Sequence, residues 1–280
     1  MAIDGSISDA SSGPVLRVCG LKKRYSRGGI WQREPVIAVA GVDFEIAKGK
    51  TLALVGSSGS GKSTVARCVT RLEKPDAGKI WLASNEISKK SARDLRPIRP
   101  EIQMIFQDAV TAMNPRFSAE EVIEEPLLIQ GVNPEDRRAR AHDLMGEVGI
   151  STTWAGRLAY DFSGGQRQRL AIARALALKP RLLVLDEALS ALDLSTQAQI
   201  VNLLLELQAA HSLTYLFISH DLSLVSRLAD EIAVMAAGEI VERGPTSQVI
   251  GNPQHPETKT LLASARRFQS TFASALGASV

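Results

Sequence analysis

Short apolar runs recur along the chain, with stretches of helical composition between them. Thr51–Val55 shows no polar alternation, which is typical of a strand buried on both faces in a parallel sheet. Similar runs occur at Leu182–Leu185, Tyr215–Ile218 and Ile232–Met235, and helical stretches at Gln166–Leu178 and Ser195–Ala210. This alternation predicts an α/β core with helices on both faces of the sheet.

The pattern differs at the N-terminus and in the middle of the chain. Leu16–Tyr25 alternates in part and predicts an edge strand, and Val36–Ile46 predicts a second strand of an N-terminal antiparallel β region. No buried strand run follows Phe106 in a proline-rich segment of helical composition that ends near Tyr160. We therefore predict a flexible leader at 1–14, a core at 15–92 and 161–243, an inserted helical subdomain at 93–160 and a tail at 244–280.

Composition excludes several classes of protein. With 280 residues, 45% of them hydrophobic and 22% charged, the chain resembles an ordinary globular protein. Its 33 Lys and Arg against 30 Asp and Glu give no basic stripe for nucleic acid. The two cysteines, Cys19 and Cys68, form no disulfide framework, lie too far apart in sequence for a metal-ligand spacing and favour a reducing compartment. No apolar run approaches the ~20 residues of a membrane span, and no signal peptide is expected.

The first candidate chemistry follows the first buried run directly. The segment Gly56-Ser57-Ser58-Gly59-Ser60-Gly61-Lys62-Ser63 matches G-x-x-x-x-G-K-[ST], and Thr64 continues it as a helix. Glycines let backbone N–H groups approach phosphate oxygens, and the start of a helix adds its positive end. We expect Lys62 to reach the β- and γ-phosphates of a nucleotide and the Ser63 hydroxyl to bind Mg²⁺.

A second buried run ends in two carboxylates, Asp186 and Glu187. Ligands of open parallel sheets bind at the carboxyl ends of strands, so both should face the phosphate loop. Asp186 suits a role at Mg²⁺, and Glu187 suits polarising the attacking water. Alone, such a pair is as often a strand that enters a solvated turn, so this interpretation depends on the phosphate loop.

A third motif lies 101 residues after Lys62. Ser163 fits a helix N-cap, Gly164 and Gly165 expose backbone N–H groups, and Gln166 continues as a helix. This makes a second helix start that is suited to an anion. An ordinary capped helix is the alternative, although glycine is unfavourable at these positions.

The segment Phe162–Arg169 resembles the signature motif of the ABC transporter ATPases. The other motifs of that family follow in its order: the phosphate loop, Gln107 as the Q-loop, the signature, Walker B at Leu182–Glu187, the D-loop ending at Asp193 and His220 as the switch histidine. The resemblance implies a P-loop NTPase (RecA-like) core with a mixed sheet. It also implies ATP hydrolysis with Mg²⁺ in a head-to-tail dimer, in which the signature of one subunit completes the ATP site of the other.

The resemblance also implies roles for single residues. Gln107 would sense Mg²⁺ and link to the helical segment, His220 would contact the γ-phosphate, and Asp193 would lie at the nucleotide. Alone, Gln107 or His220 is more often structural. An aromatic residue near the N-terminus should stack on adenine; Tyr25 is our choice, and Trp31 is the alternative.

Met113–Arg116, the long Tyr25–Val39 loop and the tail Asn252–Leu262 resemble the ATPases of oligopeptide, dipeptide and nickel importers. Glu257 and Ala109 depart from that pattern, and no cysteine follows Cys68, so we expect no iron–sulfur cluster. The resemblance implies a peripheral protein on the cytoplasmic face of the inner or plasma membrane. Its partners would be permease subunits, a second ATPase that is a paralogue or a copy, and indirectly a substrate-binding protein, with no nucleic acid.

Two other classes remain open. A soluble ABC-type ATPase of a non-transport complex usually carries two cassettes or a long coiled coil, whereas this sequence shows one cassette and no heptad run. A generic P-loop kinase or GTPase would not need Ser163–Gln166.

Overall fold

The computed structural model describes residues 13–27, 34–107 and 113–264. The strands in this part of the chain are β1 Leu16–Arg27, β2 Glu34–Ile46, β3 Thr51–Val55, β4 Ala77–Leu82, β5 Asn85–Glu86, β6 Ile102–Ile105, β7 Leu182–Asp186, β8 Thr214–Ile218, β9 Glu231–Ala236 and β10 Glu239–Pro245. The helices are α1 Lys62–Val69, α2 Ala92–Leu95, α3 Ala119–Ile129, α4 Pro134–Glu147, α5 Gly164–Leu176, α6 Leu194–His211, α7 Leu222–Leu228 and α8 Thr246–Gly251. Residues 1–12 of the leader predicted at 1–14 lie outside the described residues, as does Trp31.

The larger sheet of the described chain has six strands in the order β10-β9-β3-β8-β7-β6. Strands β9, β3, β8, β7 and β6 run parallel, and β10 pairs antiparallel with β9, so the sheet is mixed as predicted. Every residue of β3, β7 and β8 is buried. These are the strands that the continuous apolar runs predict, because a strand covered on both faces needs no polar alternation.

Successive residues of the central strands pack into two different hydrophobic clusters. Phe217 belongs to the cluster formed with helices α3–α6, whereas its neighbour Leu216 belongs to the cluster between the sheet, α1 and the antiparallel sheet. The same alternation occurs in β3, where Ala53 and Leu54 face opposite sides. The sheet therefore divides the core into two layers and holds the ends of its strands between them.

The smaller sheet, in the order β2-β1-β4-β5, corrects one prediction. β1 is not an edge strand, because Leu16 pairs with Ile46 of β2 on one side and with Leu82 of β4 on the other. The partner β4 begins 50 residues after the end of β1, and no local pattern in the sequence of β1 indicates this pairing. The antiparallel character of this region is as predicted.

The middle of the chain corrects a second prediction. The sequence predicts that residues 102–105 lie in the inserted helical subdomain, but β6 pairs in parallel with β7 from Ile102 to Ile105 and belongs to the larger sheet. Helical structure follows it: Ser118 starts α3 with a capping box to Glu121, and Asn133 caps α4. The predicted division into domains is otherwise untested and stays a prediction.

The beginning of the predicted tail packs on the core. β10 runs to Pro245, and a helical segment at 256–264 brings Leu262 into the first hydrophobic cluster. The Glu242 carboxylate accepts hydrogen bonds from the N–H groups of Gln254 and His255 and holds this segment against β10. None of the helices in the described residues is long and apolar enough to cross a membrane.

Candidate functional site

The phosphate loop joins β3 to α1, and two of its glycines are needed for close backbone approach. A Cβ on Gly56 would lie 2.1 Å from the carbonyl oxygen of Met235, and one on Gly61 would lie 2.1 Å from that of Ala38. Both glycines have positive φ angles, 153° and 106°. Gly61 is also the N-cap of α1, so the first N–H groups of this helix point into the loop. The loop is a cradle of backbone groups that a side chain would fill.

Lys62 lies inside this cradle and is only 5% exposed. Its Nζ donates hydrogen bonds to the carbonyl oxygens of Gly56 and Ser57, both at 2.8 Å, and to Ser60 Oγ at 3.3 Å. Burial lowers the pKa of Lys62, and the nearby charges of Glu187 and Asp186 oppose that change. The ammonium group is therefore fixed where an anion in the loop would meet it.

The fold brings Ser63 and Asp186 together from positions 123 residues apart. Ser63 Oγ donates a hydrogen bond to Asp186 Oδ1 at 2.9 Å. Asp186 ends β7 and is 6% exposed, and this burial raises the pKa of its carboxyl group. The hydroxyl and the buried carboxylate are oxygen ligands of the type that Mg²⁺ prefers, and a cation would offset the cost of burying the charge. The pair fits a magnesium ion. Gln107, the third predicted ligand, is exposed and lies two residues after the end of β6, the neighbour of β7.

Glu187 and His220 meet at the ends of the adjacent strands β7 and β8. The distance between His220 Nδ1 and Glu187 Oε1 is 3.8 Å, and a cavity of about 50 Å³ lies beside them. Glu187 has a φ angle of 50°, a left-handed conformation that is rare outside glycine, and its N–H donates to the carbonyl oxygen of Ile218. Strained backbone of this kind concentrates at functional sites. The carboxylate is three-quarters buried and the imidazole mostly exposed.

Two helix starts elsewhere in the chain carry the remaining predicted residues. Ser163 and Gln166 form a capping box at α5, in which Ser163 Oγ accepts from the Gln166 N–H and Gln166 Oε1 accepts from the Ser163 N–H. Asp193 caps α6, and hydrogen bonds from Thr196 and Ser195 lower its pKa to about 2. Within the described residues, no hydrogen bond joins Ser163–Gln166 to the phosphate loop. In the single chain, the hydrogen bonds of Ser163, Gln166 and Asp193 are therefore those of helix caps.

Tyr25 lies near the end of β1 and is 37% exposed. Its hydroxyl donates a hydrogen bond to Glu73 Oε2, and the Lys23 Nζ lies 5.5 Å from the ring centre. Burial raises the pKa of Tyr25, and the bond to Glu73 adds to this effect. The ring is fixed and partly open to solvent, which suits a stacking surface. The choice between Tyr25 and Trp31 as the residue that stacks on adenine stays open, because Trp31 lies outside the described residues.

Phosphate loop, Asp186, Glu187 and His220 thus form one cluster at the carboxyl ends of the parallel strands. Sequence reasoning missed two residues around it. Thr196 holds the Asp193 carboxylate, and Gln197 Nε2 donates to the carbonyl oxygen of Leu189 at 3.0 Å. The Asp-x-x-Thr spacing of a helix cap could have identified Thr196, but no local pattern indicates the contact of Gln197.

Comparison with known proteins assigns the chain to a family. The family model described as ABC transporter matches residues 39–190, which include the phosphate loop, the signature and Walker B. The chain belongs to the ABC transporter family. The prediction of this family, of its P-loop NTPase fold and of its ATPase class is confirmed.

Three similar proteins illustrate the relationship. The dipeptide transport ATP-binding protein DppF of Escherichia coli (strain K12) is 43% identical over 91% of this chain and 77% of its own length. The glutathione import ATP-binding protein GsiA of Salmonella paratyphi A is 46% identical over 89% of this chain, which spans 41% of that relative. The dimeric, post-hydrolysis structure of the ATP-binding cassette MJ0796 bound to ADP and Pi has a TM-score of 0.73 and 28% identity, covering 82% of this chain and 98% of its own.

Proposed function

We propose that this ABC family member is the energy-coupling subunit of an importer for peptides, nickel or similar small solutes. It would hydrolyse ATP on the cytoplasmic face of the inner or plasma membrane and drive a separate permease that receives its cargo from a substrate-binding protein. The observation that carries the proposal is the similarity, over about nine-tenths of the chain, to ATP-binding proteins of dipeptide transport and glutathione import. The cluster around Lys62 and Glu187 supplies the matching chemistry.

In this proposal each residue of the cluster has one task. Residues Gly56–Thr64 hold the phosphates, and the fixed ammonium of Lys62 neutralises charge at the β- and γ-positions. Ser63 and Asp186, together with Gln107, hold Mg²⁺, which supplies electrostatic stabilisation of the phosphate oxygens when bound. Glu187 orients the attacking water, and His220 contacts the γ-phosphate beside it. Tyr25 stacks on adenine.

The site of this proposal needs a second ATPase subunit, either a paralogue or a copy. Ser163–Gln166 start a helix that makes no hydrogen bond to the phosphate loop within the described residues, and Asp193 and Leu194 are exposed. A head-to-tail arrangement would let these groups reach the nucleotide of the partner. The similar cassette MJ0796 is dimeric with ADP and Pi bound.

We expect the ATPase rate per molecule to rise with the concentration of the protein, because residues of a second subunit complete each ATP site. Turnover measured from dilute to concentrated solution checks this, with sedimentation of the same samples in Mg-ATP as the companion measurement. A flat rate in samples that remain monomeric would show a self-contained site.

The surface next to Gln107 is suited to the permease. A groove of about 260 Å³ lies between β6, α3 and α5, lined by residues that include Phe106, Pro126 and Ala171. Leu128 and Ile129, at the end of α3, are apolar and strongly exposed. Exposed apolar surface beside a predicted nucleotide sensor fits a docking site for a permease loop.

We expect cross-links from Asn114 or Arg116, both exposed in the segment before α3, to reach cytoplasmic loops of the permease. Cysteine-specific cross-linkers on Asn114→Cys and Arg116→Cys in assembled membranes test the contact, with Glu239→Cys on β10 as the control position. Cross-links confined to residues 244–280 would place the permease elsewhere.

The function itself is tested by uptake. Cells that lack this chain should lose uptake of a labelled dipeptide or of nickel, and the wild-type gene should restore it whereas Glu187→Gln should not. Restored growth with no change in either uptake, together with ATPase activity stimulated by nucleic acid or ribosomes, would favour the soluble, non-transport alternative.

A further inference from the structure

Gly165 occupies the second position of α5, where glycine weakens a helix by about 1 kcal/mol relative to alanine. Its φ angle is not positive, so backbone conformation does not require glycine here. The lack of space beside this position requires glycine, because a Cβ on Gly165 would lie 2.6 Å from Cγ2 of Thr196. The same construction on Gly164 gives an ordinary contact, 3.8 Å to Cδ2 of Leu192. The two signature glycines therefore differ in what surrounds them within the chain.

Thr196 is held in the orientation that creates this contact. Its Oγ1 donates a hydrogen bond to Asp193 Oδ2 at 2.7 Å, and its N–H donates to Asp193 Oδ1 at 2.9 Å. Ser195 Oγ also donates to Oδ1, at 2.8 Å. With Oγ1 bound to the carboxylate, the β-branched side chain has one rotamer and its methyl group faces Gly165.

The segment before Asp193 is in turn hydrogen-bonded to the main chain of Glu187. Ser190 donates to the carbonyl oxygen of Glu187 through both its N–H and its Oγ, at 3.1 and 2.9 Å. Gln197, one residue after Thr196 and buried, donates to the carbonyl oxygen of Leu189. A continuous series of contacts thus runs from Glu187 through Asp193 and Thr196 to the first turn of α5.

We propose that Thr196 is a positioning residue that joins the signature turn, Ser163–Gln166, to the loop 187–193, so that the two move as one unit. The structural part concerns this chain alone. The functional part rests on the proposed dimer. Because the signature turn serves the ATP site of the partner, closure of that site would change the position of Glu187 in this chain. Gly165 is then glycine because the Thr196 methyl occupies the place of its side chain.

The test is a double-mutant cycle between Gly165→Ala and Thr196→Ser, with Gly164→Ala as the matched control. Serine keeps the hydroxyl that binds Asp193 and removes the methyl that a new Cβ would meet. We expect Gly165→Ala to lower Tm by about 3 °C and ATPase kcat by about tenfold. Thr196→Ser alone should change little, and combined with Gly165→Ala it should restore most of both losses. Gly164→Ala should leave Tm unchanged or raise it.

A further variant separates positioning from simple packing. Thr196→Val keeps the methyl group and removes the hydroxyl, so it should lower kcat with KM for ATP unchanged, while Thr196→Ser preserves kcat. Additive effects of Gly165→Ala and Thr196→Ser on Tm would overturn the proposal, since residues without contact add independently. The double-mutant cycle on Tm can be measured on protein that does not hydrolyse ATP. Coupled Tm values with inactive protein throughout would therefore count against the proposed function and not against the contact.

Discussion

Glu187→Gln is expected to lower ATP turnover by about 10²–10⁴-fold, the usual contribution of a general base. Glutamine keeps the size and hydrogen-bonding capacity of the side chain but cannot take a proton. Ser63, Lys62 and Asp186 make their contacts independently of it, so Mg-ATP should still bind. Loss of a negative charge beside the γ-phosphate should also favour the closed dimer.

The variant should therefore accumulate as an ATP-bound dimer, with itself or with its paralogue, while the wild type passes through this state quickly. Size-exclusion chromatography with and without Mg-ATP, run beside a turnover assay, measures both effects. Glu239→Gln on the exposed β10 controls for the loss of one carboxylate. Wild-type turnover in Glu187→Gln would show that another group acts on the water.

Lys62→Ala is expected to weaken ATP binding by about 10- to 100-fold, because hydrogen bonds to charged groups contribute about 1.5–3 kcal/mol each. The ammonium is already fixed by two carbonyl oxygens of the loop, so little ordering is needed when phosphate arrives. Titration with a fluorescent ATP analogue measures the loss.

A matched control for Lys62 lies at the other end of β3. Lys48 is exposed in the turn before β3, and Lys48→Ala removes an equal charge without touching the loop. Because Lys62 is buried, Tm of each variant must accompany the titration. A folded Lys62→Ala protein with unchanged affinity would contradict the role of the phosphate loop.

The parallel strands and the clustering of the candidate site residues were predictable because their signals are local. A strand buried on both faces is apolar at every position, and the residues at its end lie at the site by topology. β6 was missed because only Ile102 and Ile105 of its four residues are buried, as on the edge of a sheet. The internal position of β1 depends on β4, which is distant in sequence.

Other features of the site depend on contacts that no short pattern contains. The left-handed backbone of Glu187 depends on β8, whose Ile218 carbonyl accepts its N–H. The need for glycine at 165 depends on a methyl group of α6. Sequence reasoning therefore identifies candidate residues for the chemistry, whereas the groups that orient them emerge only in three dimensions.

The place of β6 in the sheet determines how easily Gln107 can be displaced. In the described part of the chain, β6 forms its ladder with β7 alone, and Gln107 lies two residues after its last residue, Ile105. A shift of an interior strand would break two ladders, whereas fraying of this strand from its end would cost one hydrogen bond at a time. If Gln107 senses the nucleotide as proposed, local fraying of β6 would let it follow small changes at the phosphates while the rest of the sheet stays paired.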